Sequence, residues 1–311
     1  MDFKKVTVAG GGVLGSQIAF QTAFRGFDVT VWLRSDASIE RAKPKFERLR
    51  DIYLQTLEAS KANPAAWPRG FGAERPDEAG IDALKKQVVR AYEGLKLTTS
   101  YDEAADADLV IESIAEDPAQ KIAFYQELAK HLGERTVIAT NSSTMLPSTF
   151  AEATGRPEKY LALHFANEIW RNNTGEVMGH AGTEQRYYDQ VAEFAEAIGM
   201  VALRLHKEQP GYILNSMLVP FLSSAEALWA SDVADPETID KTWRLGTGAP
   251  AGPFRILDIV GLTTAYNISI MDPRAKDPET IQGKIAARLK EKIDAGETGV
   301  NAGKGFYDYR K

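Results

Sequence analysis

A doubly wound parallel sheet with helices on both faces, followed by an all-α region, is the α/β fold class this sequence predicts. Three observations predict it. Val6-Thr7-Val8-Ala9 runs straight into Gly10-Gly11-Gly12-Val13-Leu14-Gly15-Ser16 and then a helix-like stretch to Phe24. Short apolar runs alternate with helical stretches as far as Val201–Leu205, the pattern of an open α/β sheet. Beyond Lys207 no strand pattern recurs and only helical stretches follow.

The first strand, Lys5–Ala9, enters the turn Gly10-x-Gly12-x-x-Gly15, and the helix after it stops at Arg25-Gly26 before a second strand, Val29–Leu33. Between strand and helix, these glycines read as a dinucleotide-binding turn. Gly10 permits the tight bend, Gly12 lets the backbone approach a pyrophosphate, and Gly15 lets helix and strand pack closely. Val13 and Leu14 open the helix, whose N-terminal N–H groups are free to bind the anion. An NAD site usually carries an acid at the end of the second strand, about 20 residues past the glycines, for the ribose 2′-hydroxyl. Here Arg34-Ser35 follows Leu33, and Asp36 comes two places late. A guanidinium suits a 2′-phosphate, so Arg34 tilts the expectation from NAD towards NADP. The other reading has Arg34 stacking on the adenine while Ser35 or Asp36 serves the ribose.

From about Asp36 to Leu95 the pattern is helical but broken between Asn63-Pro64 and Gly80, which predicts a helical hairpin with a long tip inserted at 36–95. Ala107–Glu112 reads as a buried parallel strand, followed by a helix over Pro118–Leu132 with proline in its first turn. The strand Thr136–Thr140, another helix, the strand Tyr160–Leu163 and a last strand Val201–Leu205 complete the sheet. The reading places a dinucleotide-binding domain at 1–206. An all-α domain follows at 207–311, with helices over Tyr212–Trp229, Pro236–Gly246, Pro253–Tyr266 and Thr280–Asp294.

Composition bounds the partners. The chain has 311 residues, 26% of them charged, and a net charge of −6 without a block of like charge, which argues against nucleic acid. It has no cysteine, which excludes disulfides, thiolate catalysis and zinc–cysteine sites and fits a reducing compartment. Met1-Asp2-Phe3-Lys4-Lys5 opens directly into the first strand, and no apolar run approaches about 18 residues. The expectation is a cytoplasmic protein with no membrane partner and no metal.

In an open α/β sheet, ligands bind outside the carboxyl ends of the strands. Asn141-Ser142-Ser143, His164, and the pair Glu112 and Glu116 fall there. Of the four histidines only His164 holds such a position. His131 lies in the last turn of a helix, where a cation complements the dipole, and His180 and His206 carry no companion signal. Each candidate also has a structural reading: Ser143 as a helix cap, Asn215 as a satisfied core amide, Glu176 and Lys121 as surface charges.

Taken in order, the motifs resemble the 3-hydroxyacyl-CoA dehydrogenase family, nearly end to end. They are the glycine turn, Val110-Ile111-Glu112-x-Ile114-x-Glu116, Thr140-Asn141-Ser142-Ser143, His164-Phe165-x-Asn167 and Glu176-Val177-Met178. Pro210-Gly211-Tyr212-Ile213-Leu214-Asn215, Gly252-Pro253-Phe254-x-x-Leu257-Asp258-x-Val260-Gly261-Leu262 and Gly303-Lys304-Gly305-Phe306-Tyr307 follow. The resemblance implies a Rossmann-type domain and an enzyme that moves hydride between a nicotinamide cofactor and a short (S)-3-hydroxyacyl-CoA or its 3-oxo form. It implies His164 as base and Glu176 as its carboxylate partner. Ser143 and Asn215 hold the substrate oxygen, and Asn167 lies on the substrate side. Glu116, Lys121 and Asn141 surround the cofactor. It also implies a homodimer, for which Met217-Leu218-Val219-Pro220-Phe221-Leu222 is a candidate surface.

Two departures qualify the substrate. Where the family usually has proline after Asn167, this chain reads Glu168-Ile169-Trp170, and Trp170 on the acyl side would favour a short chain. The hairpin tip mixes acids and bases, so nothing in it reads as a CoA patch. A dehydrogenase of a small 3-hydroxy acid without CoA, such as a sugar acid or carnitine type, is the rival within the class. A non-enzymatic nucleotide-binding protein is the rival outside it.

Overall fold

The computed structural model describes residues 3–310, so what was read from Met1 and Asp2 lies outside the described residues. The chain divides between Ile213 and Leu214 into two compact units.

In the first unit, β1 (Lys5–Ala9) enters α1 (Val13–Phe24) through the glycine turn, and β2 (Asp28–Trp32) follows. The inserted hairpin is α2 (Asp36–Ala62) and α3 (Glu78–Gly94), with two short 3-10 turns, Pro64–Ala66 and Arg69–Phe71, at its tip. Ser35 caps α2 and Asp77 caps α3 through side-chain oxygens, as the sequence patterns of these helix starts require. Then come β3 (Lys96–Thr98), α4 (Tyr101–Ala105), β4 (Leu109–Glu112), α5 (Pro118–Leu128), β5 (Val137–Thr140), β6 (Tyr160–Phe165), β7 (Thr174–Gly179), α6 (Gln185–Ala197) and β8 (Val201–Arg204). The strands form one sheet in the order β3-β2-β1-β4-β5-β6-β7-β8. β4 and β5 are buried along their whole length, as strands covered on both faces must be.

The structure corrects the sequence reading in several places. The sheet is not wholly parallel: β7 runs antiparallel to β6, with Leu163 opposite Val177 and His164 opposite Glu176. That pairing lengthens β6 to Phe165, so His164 lies within the strand rather than after it. Between β5 and β6 there is no α-helix but three 3-10 turns, because Pro147, Gly155 at φ 68° and Pro157 break helical continuity. Trp170, read as lying on the acyl side, is buried: it packs on Tyr53 of α2 at 5.5 Å between ring centroids, and its carbonyl accepts the Gly70 N–H of the hairpin tip at 2.9 Å.

The sequence reading put the domain boundary at 206/207, whereas residues 207–213 belong to the first unit. Tyr212 donates its hydroxyl to the Ser142 carbonyl at 2.7 Å, and the Ile213 N–H donates to Glu176 at 2.9 Å, which holds this segment on the sheet.

The second unit is helical: α7 (Leu214–Ala230), α8 (Pro236–Thr247), α9 (Pro253–Val260), α10 (Leu262–Ser269) and α11 (Ile281–Asp294). Gly261, at φ 93°, splits the single helix expected over Pro253–Tyr266. Two buried aspartates tie the motifs together. Asp240 accepts the Phe254 and Arg255 N–H groups at the start of α9, and Asp258 accepts those of Phe306 and Tyr307. Among the described residues no helix is long and apolar enough to cross a membrane.

Glu226 of α7 is buried, its Oε1 has no hydrogen-bond partner among the described residues, and burial pushes its carboxyl up to about 7. An acid whose folded pKa exceeds its unfolded value of 4.5 holds its proton more tightly when folded, so stability falls as pH rises from about 4.5 to about 7 and stays reduced above. Glu226→Leu should therefore gain on the order of 3 kcal/mol more at pH 8 than at pH 4.5, taking 1.36 kcal/mol per unit. Urea unfolding at the two pH values checks this, and an equal gain at both would show that the carboxyl does not titrate as described.

Candidate active site

The glycine turn leaves a cleft at the carboxyl ends of β1 and β2. A Cβ at Gly10 would meet the Ser113 carbonyl oxygen at 2.3 Å, and one at Gly15 the Gly10 oxygen at 2.3 Å, so both positions are closed to side chains. At Gly12 a Cβ would meet nothing within 4 Å, because that atom would stand in the cleft itself. Gly12 caps α1 without a side-chain bond, and the first intrahelical bond is Ser16 N–H to Gly12 O. The N–H groups of Val13, Leu14 and Gly15 thus have no acceptor within the helix, and the dipole end faces an anion site. These residues fit a dinucleotide pyrophosphate.

The cleft has a volume of about 630 Å³. Trp32, Tyr101 and Phe124 form one aromatic flank of it. Arg34, Ser38, Arg41 and Lys45 line another, and among the described residues no carboxylate lines it. Arg41 donates to Ser38 Oγ at 2.8 Å, and Lys45 donates to the Gly11 carbonyl at 2.6 Å. Sequence reasoning found Arg34 and missed Arg41 and Lys45. The spacing Ser38, Arg41, Lys45 places all three on one helix face and was the available signal.

From the cleft, contacts lead to His164. Ser113 lines the cleft, and Asn141 Nδ2 lies 3.4 Å from its Oγ while Asn141 Oδ1 accepts the Phe165 N–H at 3.1 Å. His164 is 5% exposed and Glu176 2%, and Nδ1 lies 2.9 Å from Glu176 Oε2. The antiparallel register of β6 and β7 makes this pair. A carboxylate only accepts, so Nδ1 carries the proton and Nε2 is left as the acceptor. Ser143 Oγ stands 3.1 Å from Nε2. Glu116 holds that serine in place, accepting the Ser143 N–H at 3.0 Å and the Ser142 hydroxyl at 2.8 Å. The imidazole can accept a hydroxyl proton at Nε2 while the Glu176 carboxylate balances the charge.

The structure brings Ser143, His164, Glu176, Glu116 and Asn141 together. Asn167 is exposed nearby in sequence and accepts from Gln17 at 3.1 Å. Lys121 is fully buried and bonds Glu112 Oε1 at 2.5 Å, with Glu116 at 4.0 Å. Asn215 belongs to the second unit, in the first turn of α7. Sequence reasoning missed Tyr212 as a neighbour of the histidine: its ring lies 4.4 Å from the imidazole at 13°.

A glycine cleft at the switch of a doubly wound sheet, with a histidine–carboxylate pair at neighbouring strand ends, defines a dinucleotide-dependent oxidoreductase architecture. Comparison with known proteins makes this specific. The family model for the 3-hydroxyacyl-CoA dehydrogenase NAD binding domain matches residues 5–209, and that for the C-terminal domain matches residues 211–309. The chain belongs to the 3-hydroxyacyl-CoA dehydrogenase family, whose members are nicotinamide-dependent oxidoreductases. It is 28% identical to a probable 3-hydroxybutyryl-CoA dehydrogenase of Bacillus subtilis, over 100% of this chain and 99% of that one. It is 30% identical to the mitochondrial hydroxyacyl-coenzyme A dehydrogenase of Sus scrofa, over 99% and 91%. Among solved structures, a diketoreductase described as acting on dicarbonyl compounds is 47% identical with a TM-score of 0.85, covering 99% of this chain and all of that one.

Proposed function

We propose that this chain interconverts a short (S)-3-hydroxyacyl-CoA and its 3-oxo form, using NADP(H) in preference to NAD(H). The observation that carries the reaction is the line Ser143 Oγ, His164 Nε2, His164 Nδ1, Glu176 Oε2, closed by contacts of 3.1 and 2.9 Å. In the oxidative direction His164 Nε2 takes the hydroxyl proton, and Glu176 stabilises the imidazolium and fixes its tautomer. Ser143 donates to the substrate oxygen. The nicotinamide, when bound, supplies the hydride acceptor or donor.

The acyl-CoA substrate is supported by the family and by the names of the relatives. With Trp170 buried, a short chain rests on those names alone. A second reading, a dicarbonyl compound without CoA, is favoured by the 47% identity to the diketoreductase. In both readings a carbonyl is reduced in a molecule that carries a second one, and the histidine chemistry is the same for both. The cofactor preference is supported by the three cations and the lack of a carboxylate around the cleft. We also propose a cytoplasmic homodimer; Met217 in the stretch read as its surface is exposed, while Leu222 is buried in the helical core.

Reduction of acetoacetyl-CoA and of ethyl acetoacetate, each with NADPH and NADH, tests the proposal. Acetoacetyl-CoA turned over faster with NADPH is the expected result. Turnover of the ester alone would move the assignment to the second reading, and faster turnover with NADH would overturn the cofactor preference. Arg34→Asp should shift the NADPH:NADH ratio of kcat/KM at least about tenfold towards NADH, the size of one lost charge-assisted phosphate contact.

A further inference from the structure

We propose that Tyr212 is a positioning residue for the reaction, holding the imidazole of His164, the serine loop and the Glu176 carboxylate in one geometry. The inference rests on the reading of His164 as the acid–base group and extends it to a residue that acts through that histidine and its neighbours.

Three contacts of one short segment carry the argument. The Tyr212 ring is 1% exposed and lies nearly parallel to the imidazole, 4.4 Å away. Glu176 fixes the imidazole at Nδ1 but leaves it free to tilt about that bond. A buried flat ring against its face removes the tilt and keeps Nε2 aimed at Ser143 Oγ. The second contact is the phenol, which donates to the Ser142 carbonyl at 2.7 Å. Burial pushes the phenol's pKa up, so it remains a donor. Glu116 grips the same loop from the other side through Ser142 Oγ and the Ser143 N–H. The third contact is the next peptide, whose Ile213 N–H donates to Glu176 Oε1 at 2.9 Å, while Oε2 faces His164.

The backbone is bent to make these contacts coincide. Gly211 sits at φ 79° and Tyr212 at φ 55°. A positive φ is unfavourable for a residue with a Cβ, and such a conformation persists where surrounding contacts over-determine it. Here the contacts are the ring stack, the phenol bond and the Ile213 N–H. Tyr212 and the peptide after it therefore couple the base, its carboxylate and the serine that meets the substrate oxygen. Misplacing such groups by about 1 Å can cost about 100-fold in rate.

The test compares Tyr212→Phe, which keeps the ring and loses the phenol bond, with Tyr212→Leu, which loses both. Substrate-saturated kcat, cofactor dissociation constants from fluorescence titration, and the Nδ1 proton resonance of His164 by NMR are measured for each. The Leu variant should bind cofactor as wild type does yet lose about 30-fold or more in kcat and broaden the Nδ1 resonance, as a loosened site would. The Phe variant should recover kcat to within about fivefold of wild type and keep the resonance, since the stack remains. A Leu variant within about threefold of wild type, or a Phe variant as poor as the Leu one, would overturn the inference. Should the Leu variant fail to fold, Tyr212→Met takes its place, with the same outcomes deciding. His164→Gln run alongside separates the two levels. An active His164→Gln sinks the acid–base reading itself, whereas an inactive one beside a fully active Tyr212→Leu sinks only the positioning role.

Discussion

His164→Ala should lower kcat by about 1,000-fold while cofactor binding is retained, the middle of the range for a removed general acid–base group. The imidazole makes its two side-chain hydrogen bonds with Glu176 and Ser143 and stacks on Tyr212, and none of the three lies on the wall of the nucleotide cleft. Removing it leaves the glycine turn, the aromatic flank and the basic flank intact, so titration with NADPH should give an unchanged dissociation constant. The KM for the ketone should change little, because the lost interaction is made in the transition state rather than in ground-state binding. Steady-state kinetics beside a fluorescence titration on the same preparation decides the matter. Retained turnover would remove His164 from the mechanism. Loss of cofactor binding together with turnover would show that the histidine serves the fold of the site rather than proton transfer.

What could be read in the sequence was what depends on near neighbours. The glycine turn is legible because the strand before it, the bend and the helix after it are contiguous. His164 was found because an apolar run leads up to it. β7 was not legible. Thr174-Gly175-Glu176-Val177-Met178-Gly179 carries two glycines and only two large apolar residues, too little alternation for a strand signal. The strand exists because it pairs with β6, and that non-local pairing is what sets Glu176 opposite His164. The resemblance named Glu176 without supplying this reason. Tyr212 had no local signal either, since a residue at positive φ after Gly211 reads as a plain turn. The burial of Trp170 was not legible because sequence proximity to Asn167 says nothing about which side of the strand exit a side chain takes. The hairpin tip, brought back against Ile169 and Trp170, covers it.

Lys121 shows the same limit with an energetic consequence, and Lys121→Met should destabilise the protein by about 3–5 kcal/mol, the cost of breaking a buried pair from one side. The resemblance puts Lys121 beside the cofactor, yet its side chain is 1% exposed and its ammonium is spent on Glu112. Glu112 is as enclosed as its partner. It accepts the Ile114 N–H at 2.8 Å and Lys121 at 2.5 Å on one oxygen, and Tyr125 at 2.7 Å and Thr140 at 2.8 Å on the other. One carboxylate thus joins β4, β5, α5 and the loop after β4 at the carboxyl ends of the strands. Thr140 Oγ1 passes the connection on, accepting the Ser142 N–H at 3.1 Å. Methionine keeps most of the lysine stem's volume, so the loss should report the missing charge rather than a cavity. The remaining donors satisfy lone pairs but supply no counter-charge. Combining Lys121→Met with Glu112→Gln should recover part of the lost stability, because no uncompensated charge then remains buried. Urea midpoints of the two single variants and the double variant give the coupling directly. A single-variant loss below about 1 kcal/mol, with cofactor affinity weakened about tenfold, would return Lys121 to the cofactor site and refute its assignment to the frame.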